Sequence, residues 1–242
     1  GRIIGGREAE PHSRPYMAYL SIQSESGHFA CGGFLIRPDA VVSAAHCVAG
    51  KRKVNVTVIL GAHNIKWKEL SWQEIHVGHW VIHRNYSGDT YKNDIMLLKL
   101  KSWANVTDSV NYIHYAKRNE RVKPGTICEV AGWGWTSMSH RGLSHVLMEV
   151  DLEVERKEMC TNYFKHYHPV TMICAGDENW KKSAYRGDSG GPLVCNGKAH
   201  GIVSHGAINH ILPTVFTRVS YFDSWIRTVL RKFELQDLPD SP

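Results

Sequence analysis

The sequence predicts an all-β fold carrying one C-terminal helix, and three observations lead there. Val54, Val56 and Val58 alternate with Asn55 and Thr57, and Val150, Leu152 and Val154 alternate with Asp151, Glu153 and Glu155; a two-residue period is that of a half-buried strand. The 21 Gly and 9 Pro punctuate such runs along the chain, and many short strands separated by turn residues build barrels or sandwiches. One helical pattern stands out, and it comes late: Phe222, Trp225, Ile226, Val229, Leu230 and Phe233 recur at helical spacing.

Taken in order, the elements are these. The strand at Val54 to Val58 turns Asn55 to the outer face. Asn93-Asp94 leads directly into the apolar run Ile95-Met96-Leu97-Leu98, which reads as a core strand with a carboxylate at its edge. Tyr112 to Lys123 is polar and basic, the best linker candidate. For the late helix, Ser220 is the expected N-cap and Asp223 completes a Ser-x-x-Asp capping box, while Arg231 and Lys232 suit its C-terminal dipole end. Glu234 to Pro242 is polar and proline-containing, and reads as a loose tail. The sequence contains no internal repeat.

Composition narrows the class. The 242 residues are 43% hydrophobic, 10% aromatic and 21% charged, a globular balance rather than a disordered one. No apolar run reaches the roughly 18 residues of a membrane-spanning helix, and no charged-then-apolar leader opens the chain, so any signal peptide is expected to have been removed. The formal charge of +6, with 15 His counted neutral, is compatible with a polyanionic partner. Nucleic acid is disfavoured, because no zinc-finger spacing or RNA-binding motif accompanies the charge. Six Cys, at positions 31, 47, 128, 160, 174 and 195, form no CxxC pair. That argues for disulfides in an oxidising compartment rather than a metal site. The sequons at Asn55, Asn85 and Asn105 point the same way, to a secreted glycoprotein.

Three segments carry chemistry. In Gly187-Asp188-Ser189-Gly190-Gly191-Pro192, glycines on both sides of a serine allow the tight backbone that brings N–H donors close to a reacting carbonyl. A serine hydroxyl needs a base at neutral pH, and Ser43-Ala44-Ala45-His46-Cys47 offers one, with small residues ahead of the ring and Cys47 able to tether it. Asp94 supplies the third group, since a carboxylate at the edge of a core strand must be hydrogen-bonded or paired.

The order His, Asp, Ser and these flanking strings resemble the chymotrypsin-fold (trypsin-like) serine proteases over Ile3 to about Phe233. Ile3-Ile4-Gly5-Gly6, Cys31-Gly32-Gly33 and Ala131-Gly132-Trp133-Gly134 add to the likeness. Pro11-His12-Ser13-Arg14-Pro15-Tyr16-Met17-Ala18 and Leu60-Gly61-Ala62-His63-Asn64-Ile65 are similar to the granzyme, chymase and cathepsin G branch of granule proteases.

The resemblance implies two antiparallel Greek-key β-barrels with a C-terminal helix. The barrels would occupy residues 3–112, holding His46 and Asp94, and 113–234, holding Ser189 and the helix, with a flexible tail at 235–242. It implies a secreted, granule-stored serine endopeptidase with no cofactor or metal, in which His46 is general base, Asp94 orients it, and the N–H groups of Gly187 and Ser189 form the oxyanion hole. It implies the disulfides Cys31–Cys47, Cys128–Cys195 and Cys160–Cys174. Tyr185 stands where many relatives carry a pocket-side Cys, a departure shared with the granule branch. Residues 1–2 read as an activation dipeptide or a cloning remnant; once they are removed, the ammonium of Ile3 would pair with Asp188. Ser183 falls at the base of the specificity pocket, with Ser204, Gly206 and Thr214 on its walls and Arg186 at the lip. An uncharged base suits Phe, Tyr or Leu, because a buried Arg or Lys would lack a partner. Expected partners are protein or peptide substrates, heparin or a sulfated proteoglycan (for which Lys51-Arg52-Lys53 is the obvious cluster), and serpin-type inhibitors. The competing reading is a catalytically weak granule protein that binds polyanions or microbial surfaces; all three members of the triad being present argues against it.

Overall fold

The computed structural model describes residues 3–134, 142–184, 186–207 and 210–236. The expectations for Gly1-Arg2, for Tyr185 and for the tail beyond Gln236 lie outside these residues.

Six strands close the first barrel: β2 (Met17–Ser24), β3 (Gly27–Arg37), β4 (Ala40–Ser43), β5 (Asn55–Leu60), β6 (Gln73–Ile82) and β7 (Met96–Leu100), in the order β2-β3-β4-β7-β6-β5. The second barrel repeats that order with β8 (Ile127–Gly132), β9 (Met148–Val154), β10 (Met172–Gly176), β13 (Thr214–Arg218), β12 (Lys198–His205) and β11 (Pro192–Cys195), and the β8–β9 pairing closes it. A short strand, β1 (Arg7–Glu8), adds to β9 from outside. Every ladder is antiparallel, and closure leaves few open strand edges.

The period-two reading holds in both barrels. Val56 and Val58 point into the first core and Asn55 outward; Val150, Leu152 and Val154 are buried while Asp151 and Glu153 are not. Leu20, Ile22, Phe34, Val58 and Leu97 belong to the first core, and Val130, Leu152, Ile173, Phe216 and Ile3 to the second. A third cluster, with Met17 and Ile59 against Ala131, Trp133 and Leu147, glues the barrels together.

Two helices follow. α1 (Lys157–Tyr163) has no capping side chain and spans only seven residues, too few to show a hydrophobic period in sequence. Cys160 of α1 bonds Cys174 of β10; the other disulfides are Cys31–Cys47 and Cys128–Cys195.

α2 (Asp223–Gln236) corrects the sequence reading at both ends. Val219–Phe222 forms a 3-10 turn leading into it, so Ser220 is not the N-cap, and a carboxylate oxygen of Asp223 accepts the Arg118 N–H at 3.2 Å. Tertiary pairing has taken the side chain that a capping box would use locally. At the far end the helix carries Glu234, Leu235 and Gln236, and Glu234 is held by Arg37 at 2.8 Å. Although α2 follows the second barrel, its apolar face (Ile226, Val229 and Phe233) packs into the core of the first.

Candidate active site between the barrels

His46 lies in the 3-10 turn Ala45–Cys47 that follows β4. Ala44 and Ala45 are fully buried and Cys47 is bonded to Cys31 of β3, so the turn is held from behind while the ring projects out. Asp94 comes just before β7 and is completely buried. The chain turns into it through Tyr91 (φ 54°) and Asn93 (φ 57°), both left-handed. Asn tolerates that region, and its side chain donates to the Asn85 carbonyl at 2.9 Å.

A buried carboxylate needs donors, and Asp94 has three. Its Oδ1 accepts the His46 backbone N–H at 2.9 Å; its Oδ2 accepts His46 Nδ1–H at 2.7 Å and the Ser204 hydroxyl at 2.6 Å. Its own carbonyl accepts from Thr217 Oγ1 at 2.8 Å. With the Nδ1 proton committed to Asp94, the neutral ring carries its lone pair on Nε2, the nitrogen free to take a proton.

Ser189 is supplied by the second barrel. Its carbonyl accepts the Gly32 N–H of β3 at 2.8 Å; Gly190 N–H reaches the Val203 carbonyl at 2.9 Å and Gly191 N–H the Asp188 carbonyl at 3.0 Å. Gly187 has φ 94°, and a Cβ there would lie 2.9 Å from the Gly134 Cα as well as 2.6 Å from Leu143 Cδ2, so a side chain there would be strained. Asp188 is wholly buried and accepts the Gly134 N–H at 2.9 Å. Its carboxylate lies so close to Gly132 that a Cβ there would meet Oδ1 at 2.2 Å, which explains the glycines flanking Trp133. Ile3 is fully buried in the same barrel.

His46, Ser189, Arg186, Gly206 and Thr214 line one cleft of about 170 Å³. Three contacts that cross between the barrels set its register: Ser204 and Thr217 to Asp94, and Gly32 to Ser189. Ser204, expected on the pocket wall, does line the cleft, and its hydroxyl donates to Asp94.

The match to the trypsin family model runs over residues 3–226. The chain belongs to the trypsin family of serine proteases. It is 49% identical to human cathepsin G over 242 residues, covering all of this chain and 92% of that protein. It is 50% identical to rat granzyme B over 234 residues, with 96% and 92% covered, and 46% identical to the chymase of Papio hamadryas over 232 residues, with 96% and 92% covered. A solved structure of GrC (granzyme C) superposes with a TM-score of 0.89 at 45% identity, over 95% of this chain and 100% of the other. The likeness to the granzyme, chymase and cathepsin G branch thus extends over the whole molecule.

In this serine protease Ser183, expected at the pocket base, is buried and does not itself line the cleft, and it is hydrogen-bonded to Thr214, which does. Ser183 Oγ–H donates to the Ala184 carbonyl at 2.9 Å, so the 3.1 Å contact between Ser183 and Thr214 uses the Thr214 proton. Both hydroxyl protons are spent within the protein.

The sequence did not mark Tyr91 or His205 as site residues. The two rings stack at 4.8 Å, Tyr91 meets His46 edge-on at 5.6 Å, and Phe164 closes on His205 at 5.8 Å. Burial above all pushes His205 down to about 4, against the pull of Asp94, so it is neutral at physiological pH. Only its place next to Ser204, in the strand that lines the cleft, could have drawn attention to it. Among the described residues no helix is long and apolar enough to cross a membrane, and no group of three or more His, Cys, Asp or Glu is placed to hold a metal ion.

Proposed function

We propose that the protein is a secreted, granule-stored endopeptidase that cleaves after Phe, Tyr or Leu through Ser189, His46 and Asp94. The observation that carries this is the carboxylate–imidazole pair at 2.7 Å, backed by Ser204 and opening on the cleft that Ser189 lines. Ser189 Oγ attacks the substrate carbonyl as its proton passes to His46 Nε2. The resulting imidazolium is stabilised by Asp94, and the oxyanion lies against the N–H groups of Gly187 and Ser189. Collapse expels the amine, which takes the proton from His46. Water then repeats the sequence on the acyl-enzyme, freeing the acid and Ser189.

Specificity follows from the floor. Ser183 and Thr214 offer no carboxylate, so an Arg or Lys there would be buried without a counter-charge, whereas an apolar side chain loses nothing. Arg186, at the lip, favours acidic residues on the leaving side by ~1 kcal/mol or less. Activation would come from removal of Gly1-Arg2, which frees the Ile3 ammonium for Asp188.

Asn55, Asn85 and Asn105 are exposed, as glycan acceptors must be. A sulfated proteoglycan or heparin is the storage partner, and serpin-type inhibitors are the expected regulators. Lys51-Arg52-Lys53 is a weaker anion site than its sequence suggests: Lys53 pairs with Glu25 at 2.6 Å and Lys51 lies 4.8 Å over the Phe29 ring.

The test is labelling by a fluorophosphonate, with peptide turnover measured alongside, in dipeptide-free wild type and Ser189→Ala. The variant should fold, take no label and keep only ~10³–10⁴-fold acceleration over water. Turnover persisting near the wild-type rate in pure variant protein would reject Ser189 as nucleophile.

A further inference from the structure

The loop between β5 and β6 puts two large apolar side chains into water. Trp67 is 61% exposed and Leu70 fully so, and Lys66 and Lys68, also exposed, flank the indole. Lys66 Nζ lies 5.0 Å from the centre of the Trp67 ring. A lone exposed apolar residue is ordinary. Two on one short loop, held so that both must protrude, call for a reason.

The loop is held from inside. Ile65 and Trp72, at its two ends, pack on the cluster between the barrels. Ile65 N–H donates to the His145 carbonyl at 2.8 Å and Asn64 bridges Val146, so the loop rests on the segment that leads into β9. Ser71 Oγ–H donates to the Gly61 carbonyl at 2.7 Å. Glu69, the one carboxylate of the loop, is turned inward: its Oε1 accepts the His63 N–H at 2.7 Å, Trp72 Nε1–H at 2.9 Å and the Asn64 N–H at 3.2 Å. Against the upward push of burial, these donors hold its carboxyl below the usual carboxylate range. Glu8 is likewise bonded to His63, at 2.9 Å, and the next carboxylate along the chain, Glu74, lies in β6. What the loop presents to solvent is therefore apolar and basic, fixed in advance of any contact. It lines none of the four principal clefts of the described residues, so it is a convex tip rather than a groove.

We propose that this loop docks the protein on an anionic phospholipid bilayer, with Trp67 and Leu70 entering the boundary between headgroups and acyl chains and Lys66 and Lys68 meeting the lipid anions. Trp favours that boundary, and long Lys stems reach back from it to the headgroups. Binding of this kind grows with the apolar area buried and with attraction to anionic lipid. A protein partner would need a hollow cut to the shape of the tip, whereas a fluid bilayer yields to it. The internal bracing spares the cost of ordering the loop on contact. Leu143, from the same supporting segment, packs against Gly187, so the support beneath the docked tip reaches the loop of Gly187 and Ser189, and docking brings the catalytic cleft to chains at the membrane surface. The inference does not depend on the storage reading above.

The experiment measures co-sedimentation of the full chain, at physiological salt, with mixed phosphatidylserine–phosphatidylcholine vesicles and with phosphatidylcholine vesicles. Wild type should bind the mixed vesicles and leave the neutral ones largely unbound. Trp67→Ala/Leu70→Ala keeps the net charge and should weaken binding about tenfold or more. Lys66→Ala/Lys68→Ala removes two charges, each worth about fivefold near an anionic surface, and should weaken it comparably. All four side chains are exposed, so circular dichroism and the thermal midpoint should match wild type. Trp67→Phe should still bind but lose the part of the tryptophan fluorescence that brominated acyl chains quench. Failure of wild type to bind the mixed vesicles would overturn the proposal. So would binding that Trp67→Ala/Leu70→Ala leaves intact, because attraction anywhere on a chain of charge +6 would then account for it. Polyglutamate that holds wild type through Trp67 and Leu70 and strips it from the vesicles would replace the bilayer with an acidic protein segment. A dimer in solution that Trp67→Ala/Leu70→Ala dissolves would replace it with a second copy of the chain.

Discussion

Asp94 illustrates how one residue is made fit for its proposed role. A buried carboxylate is tolerable because three donors surround it, and only one of them, Nδ1 of His46, is a group with chemistry to perform. The pocket floor follows the same logic in reverse. Thr214 donates to Ser183 and Ser183 to the Ala184 carbonyl, so the proposed floor has nothing charged to greet a substrate. Ser183→Asp should therefore convert the preference: a peptide library should show cleavage after Arg or Lys rising while cleavage after Phe and Tyr falls. An unchanged apolar preference would place the specificity pocket elsewhere. His205 makes a pH prediction. Its folded value, about 4, lies below the ordinary 6.5, so on acidification the unfolded chain takes up the proton first. Stability from this group is complete above about pH 6.5 and is lost as pH falls toward 4, by up to about 3 kcal/mol. His205→Phe should keep the stacking on Tyr91 and flatten the acid limb of the urea-unfolding curve between those values. A variant as acid-sensitive as wild type there would exclude His205 as a source of that limb.

At the scale of elements, the C-terminal helix closes the molecule. α2 is short and amphipathic, and its buried stripe enters the first core rather than that of the barrel it follows. Phe233 is fully buried there, under Lys99 at 5.9 Å from its ring. Phe233→Ala should cost about 3–5 kcal/mol, read as a lower denaturation midpoint with an unchanged slope. A loss under about 1 kcal/mol would mean that the helix end contributes little to the fold. The periodicity of this helix was legible because 14 residues show a stripe; the seven of α1 do not. Its start was misread because Asp223 answers to Arg118, more than a hundred residues away in sequence, which local pattern does not report.

For the whole molecule, the site is a product of two barrels meeting. His46 and Asp94 come from one, Ser189 and Ser204 from the other, and a few interbarrel hydrogen bonds hold them in register. The proposed activation acts at this scale. Asp188 is buried beside the nucleophile, and a new ammonium partner there would order the loop that carries Gly187 and Ser189. Turnover of an apolar peptide substrate should rise by orders of magnitude when Gly1-Arg2 is removed, with little change in Tm-independent measures such as far-ultraviolet circular dichroism. Equal turnover by the two forms would reject the zymogen reading.

The sequence by itself determined the class of this protein and singled out the residues proposed to carry its chemistry. Alternation at Val54–Val58 and Val150–Val154 reports burial directly, because the side-chain period of a strand is fixed by its geometry. The strings around His46, Asp94 and Ser189 are local and specific enough to carry a family resemblance. Only the tertiary structure decided what those residues touch: that Ser204 serves Asp94 rather than a pocket wall alone, that Tyr91 and His205 stack beside His46, that α2 belongs to the first core, and that the loop of Trp67 and Leu70 rests on the segment around His145. Each of these is a contact between segments far apart in the chain. No periodicity encodes such a pairing, which exists only once the two barrels have closed and packed together.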